Sequence, residues 1–132
     1  MATLGLREAF ARYGATLANV MYSTSAWTPK DTLVLSLWSH HARRGPSGTL
    51  EFADSADRWH SKGNSEFRLN IQRAFESQAE IRLVIAHASD PARIEAGEDA
   101  RKIKKDHSVR PELVGKVIEW DGSRYLIRFQ TA

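Results

Sequence analysis

The sequence predicts an α+β domain with a mostly antiparallel sheet that could also curl into a small open barrel. Three observations lead there. An alternating apolar run at 32–40, "TLVLSLWSH", reads as a central strand. A one-sided apolar pattern at about 65–79 reads as the main helix. An Asp-Gly pair at 121–122, set between apolar runs, reads as the turn of a closing β-hairpin.

Taken in order, residues 4–13 form a short N-terminal helix in this reading. Leu6, Ala9, Phe10 and Tyr13 recur at helical spacing, and Gly14 stands where a C-cap glycine belongs. Residues 16–27 are rich in β-branched and aromatic types and read as a strand. They pair with 32–40 as an antiparallel hairpin across the "TPKD" turn. Within 32–40, Leu33, Leu35 and Leu37 take one face; Val34, Ser36, Trp38 and His40 take the other. A loop at 45–48, a short strand at 49–54 and a capped turn at 55–59 follow.

In the main helix, Asn64 or Ser65 is the expected N-cap, with Glu66 near the favourable end of the helix dipole. Phe67, Ile71, Ala74, Phe75 and Gln78 line the inward side. The run 81–89, "IRLVIAHAS", is apolar at nearly every position, as a strand buried on both faces would be. Residues 90–113 read as a polar insertion that either carries a helix near 98–105 or is partly mobile. In the closing hairpin, a two-residue turn at 121–122 pairs Glu119 with Arg124 and Ile118 with Tyr125. It places Ile118, Trp120, Tyr125, Ile127 and Phe129 on one apolar face.

With 132 residues, no repeat and no linker, a single domain spanning 1–132 is the expectation. The absence of cysteine excludes disulfides and thiolate metal sites, and fits a cytoplasmic setting. No apolar run has membrane-spanning length, and "MATLGLREAFARYG" carries Glu8 where a signal peptide would be apolar, so neither a membrane nor a cleaved leader is expected. The net charge is +3, and thirteen of the 19 basic residues are arginine. Guanidinium groups grip phosphate in bidentate fashion and stack on rings. A charge of that size also serves plain solubility.

The element order resembles that of small barrel folds such as the PUA and SRA-like readers of nucleic acid. The resemblance covers order alone, because no motif of those families is present.

The chemistry-bearing residues fall into three sets. His40, His41 and His60, with Asp54 and Asp57, are the candidate metal ligands. Adjacent histidines on an extended chain point to opposite faces, so His40 and His41 are not expected to share an ion. No metal and no cofactor is expected. Asp54, Asp57 and Glu66 also cluster beside His60 for acid–base work, but the carboxylates fall around a helix start, where acidic caps are ordinary. No nucleotide fingerprint or nucleophile elbow is present, and no catalytic residue is assigned.

The third set is basic and aromatic. Arg43, Arg44, Arg58, Lys102, Lys104 and Lys105 would hold phosphate; Trp27, Trp38 or Trp59 would stack bases, with His40 beside Trp38. Each tryptophan also has an ordinary place in a core, Trp120 above all. These residues make nucleic-acid binding by a small non-catalytic module the leading expectation. The alternatives are a protein-interaction or accessory factor of phage or defence-system type, and a small hydrolase or nuclease.

Overall fold

In the computed structural model of the chain, residues 5–18, 23–56, 62–96 and 103–131 are described. The elements are α1 (Leu6–Ala11), β1 (Ser25–Trp27), β2 (Leu33–Trp38), a 3-10 turn (Ser39–His41), β3 (Ala42–Arg44) and β4 (Leu50–Ser55). They continue with α2 (Lys62–Ser77), β5 (Ile81–Ala88), α3 (Pro91–Glu95), β6 (Lys105–Val109), β7 (Leu113–Trp120) and β8 (Arg124–Thr131). The fold is α+β. Among the described residues eight strands form one sheet, ordered β1-β2-β5-β7-β8-β4-β3, with β6 also on β5. The pairing is antiparallel throughout except between β2 and β5. The sheet is open rather than closed into a barrel; β1 and β3 are its ends.

Alternation along β2 and β5 explains the layering. Leu33, Leu35, Leu37, Ile81, Leu83 and Ile85 point into the main core, with Phe67, Ile71 and Ala74 of α2. Val34 and Val84 point the other way, into a second core with Ala9 and Phe10 of α1. Both strands are therefore covered on both faces, and that accounts for the near-continuous apolar run at 81–89.

Helix α2 begins at Lys62, ahead of the cap expected at Asn64 or Ser65. The Asn64 side chain instead donates to the Ala56 carbonyl at 2.7 Å, tying the helix to the end of β4. Glu66 consequently lies past the first turn. Gln78 is exposed and left-handed, with φ of 53°, and ends the helix rather than facing inward.

Two other segments depart from the sequence reading. The polar stretch 90–113 contains α3 and β6. Strand β6, "KDHSV", has no apolar alternation, yet His107 and Ser108 are buried because its backbone pairs with β5, from Ala88↔Lys105 to Val84↔Val109. The helix expected near 98–105 falls mostly on 97–102, outside the described residues. Strand β1 is short, and 19–22 of the longer strand expected there are also outside.

The closing hairpin forms with a different register: Trp120 pairs with Tyr125, Glu119 with Leu126 and Val117 with Ile127, with a bulge at Ile118. The Glu119–Arg124 pairing is therefore absent, and Ile118 is 38% exposed while Val117 is fully buried in its place. Asp121 causes the shift. Its carboxylate accepts from the backbone N–H of Arg124 at 2.7 Å and of Ser123 at 2.8 Å, which lengthens the loop by an Asx-type turn. Those two donors hold the Asp121 carboxyl below the usual carboxylate range, the Arg124 N–H most strongly. No helix of the described residues is long and apolar enough to cross a membrane.

Two predictions follow from the packing. At Gly115 an added Cβ would lie 2.5 Å from the Phe129 ring and 2.9 Å from the Arg128 carbonyl. Gly115→Ala should cost about 1–3 kcal/mol of stability in a denaturant titration. Tyr13 donates to the Leu83 carbonyl at 2.7 Å and accepts from the Arg110 N–H at 3.2 Å, so it ties α1's end to β5 and β6. Burial raises its phenol above the ordinary tyrosine range. The native state thus keeps its proton where the unfolded chain loses it. This contribution is full below about pH 10 and is lost as pH rises through the native value. Tyr13→Phe should lower stability by about 1–2 kcal/mol at neutral pH and flatten the decline measured above pH 10.

Candidate functional site

Because β2 and β5 run parallel, their carboxyl ends lie side by side, with Trp38 opposite Ala86. The loops that leave such ends are where open sheets collect polar side chains. After β2 the chain tightens into the Ser39–His41 turn. After β5 it bends at Ser89 and Asp90 into α3, with Pro91 at a position that suits the first helical turn. Ile94 of α3 is fully buried, which pins the short helix and aims Glu95 at the histidines.

His40 Nε2 lies 3.0 Å and His41 Nε2 2.7 Å from the same Glu95 Oε2. The two imidazole rings meet edge-on at 4.4 Å, and the Trp38 ring is 6.1 Å from that of His40. On its far side His41 Nδ1 stands 3.6 Å from Asp54 Oδ2 of β4. The His41 and Asp54 side chains are only 9% and 6% exposed.

This arrangement corrects the expectation that His40 and His41 face apart. It assumed an extended backbone. In the 3-10 turn successive side chains step by about 120° rather than 180°, and both Nε2 atoms reach one carboxylate oxygen. Glu95 was missed altogether. It is 55 positions from His40, inside the stretch read as an insertion, and no local spacing announces it. Asp54 stands with His40, His41 and His60 among the candidate ligands, and it meets His41; His60 and Asp57 are outside the described residues.

The other candidates divide. Lys105 opens β6 opposite Ala88, and the Lys104 carbonyl just before it accepts from the Ser89 N–H, so both lysines share the sheet end of Trp38 and His40; Lys104 is exposed and Lys105 half-buried. Arg43 and Arg44 lie on the end strand β3, both exposed. Arg43 is 3.4 Å from Glu51, whose other oxygen Arg128 engages at 2.7 Å. Trp27 stands apart, at the amino end of the parallel pair, opposite Leu33. Its indole N–H donates to Asn70 at 2.9 Å, the Arg73 guanidinium lies 4.0 Å over its ring, and it packs on the main core. That is a contact between β1 and α2. Arg58, Trp59 and Lys102 lie outside the described residues.

An open groove of about 730 Å³ is lined by Arg43, Asp54, Ser55, Trp120, Arg124 and Tyr125, among others. Trp120 packs on the core and donates its indole N–H to Gln72, yet it also lines this groove. Sequence reasoning assigned Trp120 to the core and did not single out Arg124 or Tyr125. Asp54 belongs to both the groove and the histidine cluster.

No protein-family model, curated protein or solved structure matches this chain. The resemblance to PUA and SRA-like barrels therefore remains one of element order, and here the sheet is open.

The Glu51 pairings make a contrast that can be measured. The Arg43 side chain is 59% exposed, so Arg43→Ala should change stability by less than about 1 kcal/mol. Glu51 is buried between two guanidinium groups, and Glu51→Ala should cost about 1–3 kcal/mol in the same denaturant assay.

Proposed function

We propose that the chain is a small non-catalytic module that binds single-stranded or locally unpaired nucleic acid in the groove beside β3. The observation that carries this reading is the groove's lining: two guanidinium groups, Arg43 and Arg124, beside the half-buried Trp120 indole, with Tyr125 buried beneath as part of the core. Ring faces accept bases of any sequence, and the cations follow the backbone. Arg44 follows Arg43 on β3 and takes the other face, and Lys104 lies at the carboxyl end of the parallel pair, so both are exposed charges outside the groove's lining.

The groove also holds Asp54, Glu119 and Asp121, which oppose deep entry of a phosphate. Carboxylates accept hydrogen bonds from base amino groups. The balance therefore favours a base inside and phosphates at the rim. A strand with splayed bases suits that division better than a duplex, which requires an element that enters its groove. The absence of cysteine suits a cytoplasmic setting for such a module.

The test is anisotropy of a labelled single-stranded oligonucleotide. If Arg43 and Arg124 each neutralise one phosphate, affinity should fall about 7-fold over a fourfold rise in salt. Arg124→Ala should lower the log–log salt slope by about 0.7, and Trp120→Ala should cost about 1–3 kcal/mol of binding. Absence of binding at low salt would sink the reading. A stable protein complex recovered in its place would favour the accessory-factor alternative.

A further inference from the structure

We propose that His40, His41 and Glu95 bind a divalent transition-metal ion of borderline softness, zinc being the type, with Asp54 orienting His41. The donor set is two imidazoles and one carboxylate, the combination such ions take. His40 Nε2 and His41 Nε2 stand 3.0 and 2.7 Å from one Glu95 oxygen, and the three donor atoms all lie within 4.8 Å of one another. Ligand atoms bonded to one tetrahedral ion at about 2.0–2.2 Å stand about 3.3–3.6 Å apart. The present 3.0 and 2.7 Å are hydrogen-bond distances, and the exposed Glu95 carboxylate has to move back by less than about 1 Å to admit an ion.

A second observation comes from the far side of the rings. The Nδ1 atoms of His40 and His41 are buried and make no hydrogen bond among the described residues. His41 Nδ1 faces Asp54 Oδ2 at 3.6 Å, with both side chains at least nine-tenths buried. A neutral imidazole offers one donor and one acceptor nitrogen. With its proton on Nε2, His41 serves Glu95 and turns a bare lone pair toward the Asp54 carboxylate. With its proton on Nδ1, it serves Asp54 and sets a bare lone pair 2.7 Å from Glu95. Either neutral form leaves acceptor against acceptor, at the buried Asp54 side in the first and at the half-exposed Glu95 side in the second.

A cation beside Glu95 removes the conflict. His41 then keeps its Nδ1–H toward Asp54, its Nε2 lone pair binds the ion, and Glu95 and His40 complete the protein ligands. The result is the carboxylate–histidine–metal relay in which an outer carboxylate fixes tautomer and ring orientation. Three protein ligands leave a fourth position for water or another small donor. The competing resolution is a second proton on His41, which requires no metal. This proposal stands apart from the nucleic-acid reading.

Titration calorimetry of the tag-free, chelator-treated full chain with Zn²⁺ decides between them, with Co²⁺ absorption as a second readout. The expected result is one ion per chain, and a zinc-dependent rise in melting temperature. His40→Ala and Glu95→Gln should each weaken binding by at least about tenfold. Asp54→Asn should weaken it about 10–100-fold with the stoichiometry unchanged. The Glu95 side chain is 45% exposed, so Glu95→Gln tests the site without threatening the fold as His41→Ala would. Failure of the unmodified chain to take up zinc or cobalt would overturn the proposal, and so would undiminished binding by both His40→Ala and Glu95→Gln.

Discussion

The parallel pairing of β2 with β5 is the constraint on which the rest of the molecule depends. It runs in unbroken register from Leu33↔Ile81 to Trp38↔Ala86. Parallel neighbours need a crossover, and here β3, β4 and α2 supply it. That crossover lays α2 on one face, while α1 closes the other, so two cores share the same two strands. Slipping the register by a single residue would exchange Leu35 and Leu83 with Val34 and Val84 between unlike pockets. The same pairing brings the segment after β2 and the segment after β5 together. His40, His41 and Glu95 meet as a consequence of topology rather than of proximity in the chain.

What was legible in the sequence is what a local period encodes. The leucines at 33, 35 and 37, the Phe67–Ile71–Ala74 stripe and the Ala9–Phe10 side of α1 are each set by their own spacing, and each packs inward as read. What was not legible depends on a partner. The strand character of "KDHSV" comes from the backbone of β5, since its side chains carry no alternation. The hairpin register turned on two hydrogen bonds to Asp121, which an Asp-Gly signal does not distinguish from a tighter turn. The site suffered most. A turn of three residues after β2 reverses the inference drawn for adjacent histidines, and Glu95 is joined to them only through the crossover.

The basic residues illustrate why a charge run is weak evidence of a ligand. Arg43 looks like a free grip in "HHARRG", but Glu51 sits between it and Arg128. A buried carboxylate needs such partners, because an unpaired charge there would cost several kcal/mol. Arg128 meets that need at 2.7 Å, and Arg43 contributes the longer, more exposed contact. An exposed ion pair is worth less than about 1 kcal/mol, less than the about 1.5–3 kcal/mol typical of a hydrogen bond to a charged group. Arg43 can therefore turn from Glu51 to a phosphate at small cost, whereas Arg128 cannot. Trp27 shows the opposite outcome. Its ring face is already taken by Arg73 and its N–H by Asn70, so an incoming base would have to displace both.

Asp54 links the two proposed roles, since it lines the groove and faces His41. In the metal reading its charge is partly answered by the His41 Nδ1–H, and through that ring by the ion. A carboxylate so engaged is a weaker repellent to phosphate and a weaker acceptor for a base amino group. Metal binding would then change how the groove treats a nucleic acid without any movement of the backbone. Linkage makes the effect reciprocal: whatever factor the ion applies to ligand affinity, the ligand applies to the ion. The sign follows from charge. A cation behind Asp54 lowers the negative potential of the groove, so occupancy of the histidine site should strengthen the hold on phosphate. The size is bounded by the single shared carboxylate and by water in the open groove, which screens it.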